Sequence, residues 1–195
     1  VVAVSDSYRA GQRRAAVSGA SSGTAAEARG NRTLQRNRGS GLRKAVTSVE
    51  IRRVETNKKQ YLALLLLADE QEDMIDRYLE RGSMYVLEDD GVKAECVVTD
   101  EGGGVLELKN IAVEPDFQGK GYGKALVDFL IRAYAGQYTL LQVGTGDSPS
   151  TIPFYESCGF CRHHLVKNFF TDHYDHPIYE CGVKLVDMVY LQREL

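Results

Sequence analysis

The sequence predicts an α+β fold, a mixed but mostly antiparallel sheet of about seven strands flanked by about four helices. Three observations carry that expectation. Apolar and polar residues alternate with period two towards both ends of the chain beyond residue 44. Turn residues at Asp89-Asp90-Gly91 and at Gly102 to Gly104 join consecutive strands tightly, which makes those strands antiparallel. Between Val105 and Gly146 a strand, a helix and a strand follow one another, which provides one crossover and so one parallel pair.

The elements follow in order. "AVTSVEIRRVE", from Ala45, alternates through Val49, Ile51 and Val54 as a half-buried strand. Asn57 is placed to cap a helix carrying the leucine run "YLALLLLA", Tyr61 to Ala68. A second helix is expected from about Glu70 to Arg81, with Met74, Ile75, Tyr78 and Leu79 on one face and Gly82 stopping it. Met84, Val86 and Val92 to Val98 flank the Asp-Gly turn as a hairpin. "VLELKNIAVEP" is a long strand closed by Pro115, which has no amide to donate to a ladder. In the next helix Ala125, Leu126, Phe129, Leu130 and Ala133 keep the 3.6-residue period up to Gly136. "YTLLQVGTG" reads as a buried strand, "PSTIPFYESCGF" as a short helix ended at Gly159, and "FCRHHLVK" as a strand. Residues 168–182 are expected to be a loop rich in His and aromatics, and "GVKLVDMVYLQREL" the last strand.

A length of 195 residues with 43% hydrophobic composition suits one core rather than two full domains. The net charge of -3 hides an asymmetry. Residues 1–44 hold nine Arg and Lys against Asp6 and Glu27, whereas 45–195 hold fifteen against twenty-five acids. The first stretch has no sustained apolar period, so residues 1–44 are expected to be a basic tail, disordered or non-native, outside a single domain spanning 45–195. Its Arg- and Ser-rich, acid-poor texture also resembles an organellar transit segment. The acidic body argues against nucleic acid as a partner of the folded domain, because phosphate binding needs a basic face. A cationic small substrate suits that charge better. No apolar run reaches the roughly 18 residues of a membrane span, so no membrane partner and a cytoplasmic location are expected.

The densest signal is "PDFQGKGYGKALVDFLIRA", Pro115 to Ala133, where glycines crowd the start of a helix. The first amides of a helix lack intrahelical partners and the helix dipole adds partial positive charge, which makes such an end an anion seat. Gly119, Gly121 and Gly123 let an anion approach the backbone, and Lys120 and Lys124 add charge at the rim. The segment is neither a P-loop nor a dinucleotide fingerprint in a repeated parallel fold.

"QGKGYG", Gln118 to Gly123, fits the pattern Q/R-x-x-G-x-G/A of the GNAT superfamily of N-acetyltransferases. "IPFYESCGF", Ile152 to Phe160, resembles that superfamily's second signature, a short helix with a tyrosine closed by Gly-Phe before a strand. The resemblance covers residues 49–195, and the end of the chain looks like uncharacterised bacterial members. It implies a GNAT fold and acetyl-CoA as co-substrate. It also implies direct transfer of the acetyl group to a primary amine, without a covalent acyl-enzyme. The pyrophosphate would sit on Gln118, Gly119, Lys120, Gly121, Tyr122, Gly123 and Lys124, and the pantetheine arm would pair with Ile111, Ala112 and Val113 like an added strand. By the same analogy the Val113 amide would hold the oxyanion, and Tyr155 would hydrogen-bond the sulfur and act as general acid. The asparagine that many members carry before that tyrosine is replaced here by Asp147 and Ser148.

For the base, Glu107 and Glu114 are the candidates, Glu107 first. Alternation along Val105 to Leu108 sets Glu107 opposite Leu106 and Leu108, on a face that is either a substrate cleft or solvent. His163, His164, His173 and His176 with Cys96, Cys158, Cys161 and Cys181 raise a metal site as an alternative, but their spacing reads better as surface histidines and buried thiols, so no metal is expected. Phe169, Phe170, Tyr174 and Tyr179 suit the wall of an acceptor pocket or a homodimer contact. The acceptor is expected to be a small-molecule amine. The rivals are a protein or peptide amine, and a non-catalytic acyl-CoA-binding module.

Overall fold

The computed structural model describes residues 49–195. The expected tail over 1–44, and residues 45–48 of the expected first strand, lie outside the described residues. A seven-stranded sheet organises the rest. Its strands are β1 (Glu50–Val54), β2 (Ser83–Glu88), β3 (Val92–Asp100), β4 (Val105–Val113), β5 (Leu140–Gly146), β6 (Cys161–Val166) and β9 (Met188–Glu194), in the order β1-β2-β3-β4-β5-β9-β6. Only β4 and β5 run parallel; the other neighbours are antiparallel. The crossover that makes them parallel is α3 (Tyr122–Tyr134).

Both faces of the sheet are covered, which is why β3 is buried almost throughout instead of alternating. On one face α3 and α4 (Thr151–Ser157) pack through Leu126, Val127, Leu130, Phe154 and Tyr155 onto Cys96, Leu108, Ile111 and Val143. On the other, α1 (Leu62–Leu65) and α2 (Glu72–Leu79) set Leu65, Ile75 and Leu79 against Val54, Met84, Val86 and Val97. Among the described residues no helix is long and apolar enough to cross a membrane.

Three local expectations are corrected. Asn57 is no helix cap: it sits in the left-handed region at φ 52° before a 3-10 turn, Lys58–Tyr61, and its side chain makes no capping bond. Lys58 instead turns its ammonium to the carbonyls of Leu79 (2.8 Å), Glu80 (3.0 Å) and Gly82 (2.7 Å), closing the C-terminal end of α2, where the helix dipole favours a cation. Residues 168–182 are not all loop, since they hold α5 (Phe169–His173) and β7 (Tyr179–Glu180). The last strand starts at Met188, because Val183–Lys184, β8, pairs with β7 in a separate hairpin. Leu185 and Met188 then join Met74, Phe170, Tyr174 and Ile178 in an apolar cluster that fixes this segment against α2.

Candidate active site

Strands β4 and β5 pair only from Val105 to Leu108 and from Leu140 to Val143, then part. From Gly144 to Gly146 β5 stays with β9, while β4 stays with β3. Glu114 donates its amide to the Lys93 carbonyl at 2.8 Å, on the β3 side. Strand alternation therefore turns the amides of Ile111 and Val113 to the opposite edge, the one β5 has left. Ala112 faces β3 instead, so of the expected strand positions Ile111 and Val113 are the two with open backbone.

A bulge accompanies the split. The register slips so that Val97 faces Asn110 and Val98 faces Leu108, leaving Lys109 as the extra residue of β4. Leu106 and Leu108 before it, and Ile111 and Val113 after it, consequently join the same apolar cluster with α3. Glu107, Asn110 and Ala112 face α1 and α2: Asn110 Nδ2 donates to the Leu65 carbonyl (3.1 Å) and to Tyr78 Oη (2.8 Å), and Ala112 packs with Leu64 and Ala68. Asn110 Oδ1 has no partner.

The glycine turn closes the split at its open end. Gln118 Nε2 donates to the Val113 carbonyl at 3.1 Å, tying the turn to the end of β4. Gly119 and Gly121 take positive φ, 72° and 85°, which a side chain would strain. Gly121 starts α3 with no side-chain cap and no acid in the first turn, and Gly123 is buried in that turn. Lys120 and Lys93 place their ammonium groups 4.2 Å and 4.3 Å from the centre of the Phe117 ring, which holds both beside the turn. Tyr122 donates its hydroxyl to Asp89, and Lys124 lies 3.4 Å from Asp128.

Tyr155 is fully buried, with its ring edge-on to Phe154 and Phe160. Its hydroxyl has no hydrogen-bond partner. A buried orphan hydroxyl costs about 1–3 kcal/mol, and this one is free to donate to an incoming group. Burial pushes this phenol well above its ordinary value, so the group carries its proton. The helix that positions it is capped by Ser148, whose Oγ accepts from the amides of Ser150 (3.4 Å) and Thr151 (3.2 Å). Ser148 is buried in this bonding, whereas Asp147 pairs with Arg162 at 3.0 Å. Glu180 accepts from Ser150 Oγ at 2.8 Å and from Thr151, linking β7 to the start of α4.

Glu107 is only 6% exposed and opens onto a cleft, which decides between the two faces left open by alternation. Lys109 Nζ donates to its Oε1 at 2.7 Å and Gln142 Nε2 to its Oε2 at 2.7 Å. Burial, with the nearby Glu107 charge second, pushes the Tyr190 phenol up to about 12. The cleft is a cavity of about 260 Å³ bounded by α2, the start of the β4 bulge, α5 and β9. Phe169 and Tyr174 do line it; Phe170 packs in the cluster behind, and Tyr179 is exposed. Gly144 gives the cavity its floor: a Cβ there would lie 2.6 Å from Met188 Sδ and 3.1 Å from the Tyr190 ring. Glu114 follows β4 and does not line this cavity, and among the described residues no group of three His, Cys, Asp or Glu side chains is placed to hold a metal ion.

Sequence reasoning missed Asp69, Arg77 and Tyr190 in the cavity wall, Gln142 as a donor to Glu107, and the buried Glu95. Glu95 left a readable trace, a charged residue inside the apolar run of β3.

Set beside known proteins, the parted sheet and glycine turn place the molecule among acetyltransferases. The acetyltransferase (GNAT) domain family matches residues 80–162. The uncharacterized N-acetyltransferase YvbK of Bacillus subtilis is 38% identical over 144 residues, 72% of this chain and 92% of that protein. The structure of an IAA acetyltransferase from Bacillus cereus superposes with a TM-score of 0.70 at 37% identity, covering 76% of this chain and 100% of that one. A GNAT family acetyltransferase from Elizabethkingia anophelis, crystallised with acetyl-CoA bound, gives a TM-score of 0.71 at 34% identity over 75% of this chain and 98% of that one. The chain belongs to the GNAT family of N-acetyltransferases.

Proposed function

We propose that the protein transfers the acetyl group of acetyl-CoA directly to a primary amine of a small molecule. The observation that carries this reading is the parting of β4 from β5 beyond Leu108 and Val143, which leaves the Ile111 and Val113 amides facing an open edge that ends at the glycine turn. An extended amide-bearing arm adds to such an edge as a strand would. The amides of Gln118 to Gly123 and the uncapped start of α3 receive the pyrophosphate, with Lys120 and Lys124 beside it.

Acetyl-CoA supplies the acyl group, and the remaining steps fall to side chains and backbone of this chain. Glu107 accepts the proton that the attacking amine must lose, directly or through a water, and the Lys109 ammonium that donates to it holds the carboxylate in place. The Val113 amide donates to the oxygen on which negative charge develops. Tyr155 gives its proton to the departing thiolate, which satisfies the hydroxyl left without a partner in the core. No covalent acyl-enzyme is required, and the buried Cys96 and Cys158 thiols, both pushed upward by burial, are poor nucleophiles. A concave cleft of about 260 Å³ suits a small acceptor.

The test is CoA release from acetyl-CoA with a panel of small amines. At least one amine should raise release well above the amine-free rate with formation of its N-acetyl product; release that no amine accelerates would overturn the reading.

A further inference from the structure

The acceptor cavity differs in charge from the acidic body around it. Arg77, Arg81 and Lys109 line it against two carboxylates, Asp69 and Glu107. Met74 and Tyr78 are buried one turn apart on α2; Arg77, on the same helix, and Arg81, in the turn that follows it, both line the cavity.

The three cations are not equally occupied. Lys109 Nζ lies 2.7 Å from Glu107 and 3.4 Å from Glu101. Arg81 pairs with Glu101 at 2.7 Å and donates to the Asp100 carbonyl at 3.2 Å. Among the described residues the ion pair of Arg77 is with Asp73, at 4.0 Å on the exposed helix surface, a contact of little strength. Its planar fork of donors remains suited to a carboxylate, which it can bind with two parallel hydrogen bonds. The carboxylates of the lining are Asp69, whose Oδ1 accepts from Tyr174 Oη at 3.0 Å, and Glu107, which Lys109 pairs. Phe169, Tyr174, Tyr190 and Met188 supply the aromatic and apolar part of the lining.

We infer that the acceptor is a zwitterion, an amine that also bears a carboxylate, with the carboxylate held at the rim by Arg77, the amine beside Glu107, and an apolar or aromatic side branch against Phe169, Tyr174 and Tyr190. This rests on reading the cavity as the acceptor site. A polyamine matches the net charge of the chain but not the cavity, where its second ammonium would meet Arg77, Arg81 and Lys109.

The experiment compares amino acids with the amines that differ from them only by loss of the carboxylate: phenylalanine with phenethylamine, tyrosine with tyramine, and leucine with isopentylamine. CoA release and heat protection of the acetyl-CoA-bound full chain are both followed. A charge-assisted bidentate contact predicts a kcat/KM preference of roughly ten- to a hundredfold for the carboxylated member of the best pair. Arg77→Met, on an exposed helix surface and expected to melt as the parent does, should bring that ratio close to one, mainly by raising KM for the carboxylated acceptor. Equal or better use of the plain amines, a ratio unmoved by Arg77→Met, or a panel in which no carboxylated member is either acetylated or protective would overturn the inference. Should acetyl-CoA itself fail to protect the protein, the acetyltransferase reading falls; should it protect while the preference is absent, only the zwitterionic acceptor falls.

Discussion

On the α3 side the proposed site is made of backbone: the amides of Ile111 and Val113, the turn from Gly119 to Gly123 and the start of a helix, all from the stretch that runs from β4 into α3. On the α2 side it is made of side chains drawn from positions as distant as Asp69 and Tyr190. A backbone site depends on local conformation, which glycines announce in the sequence. A side-chain site depends on which surfaces the fold brings together. The first can stay constant while the second is rebuilt, which suits a fold that keeps one donor and varies the acceptor.

The largest expected effect belongs to Tyr155, which serves the α3 side. Tyr155→Phe should lower turnover by about a hundredfold, the lower range for loss of a general acid, with KM for acetyl-CoA nearly unchanged. Because the hydroxyl it removes is buried without a partner, the melting temperature should hold or rise. Steady-state kinetics and calorimetry on one preparation check both, and an unchanged rate would remove Tyr155 from the chemistry.

Gly144→Ala presses on the other side. Its Cβ would meet Met188 and Tyr190, so the acceptor cavity shrinks; kcat/KM for the acceptor should fall by about tenfold while protection by acetyl-CoA persists. Equal loss of both would show that the two sides are not separable.

A pH effect comes from Glu95, buried with no hydrogen bond to either carboxyl oxygen. Burial holds its carboxyl well above the usual carboxylate range, and the nearby Ala112 amide opposes this only in part. The folded state therefore keeps a proton that the unfolded chain releases, so this group's contribution to stability is greatest below the ordinary carboxylate value and declines as pH rises above it. Glu95→Gln removes the dependence. Relative to that variant, the parent protein should lose a few degrees of melting temperature between about pH 5 and pH 8. A gap that does not change with pH would mean that Glu95 titrates normally.

The smallest effect is expected at Lys120. It stands over Phe117 at the edge of the turn, so Lys120→Ala should raise KM for acetyl-CoA about threefold, less at high salt, with kcat kept. An effect of a hundredfold would mean that the lysine, rather than the backbone, holds the cofactor.

The contrast between the two sides also explains what the sequence made legible. Gln118 to Gly123 and "IPFYESCGF" announce their places because glycine and capping patterns are local. Glu107 could be set opposite Leu106, but the face it looks onto depended on helices elsewhere in the chain. The bulge at Lys109 has no local signature, and it is what lets Leu108 and Ile111 share one face. Residues 168–182 read as loop because α5 and β7 are too short for periodicity, and the segment is held by packing with Met74 and Met188. Asp69 and Tyr174, separated widely in sequence, meet only through that packing.

The central claim is that backbone exposed by the parting of β4 and β5 holds acetyl-CoA, and the most direct measurement is the melting temperature of the full chain with and without it. At a ligand concentration of about a hundred times Kd the stabilisation is about 2.7 kcal/mol, which for a chain of this size raises the melting temperature by roughly 5–10 °C. Acetyl-CoA should produce that rise and adenosine should not; no rise at saturating acetyl-CoA would contradict the account.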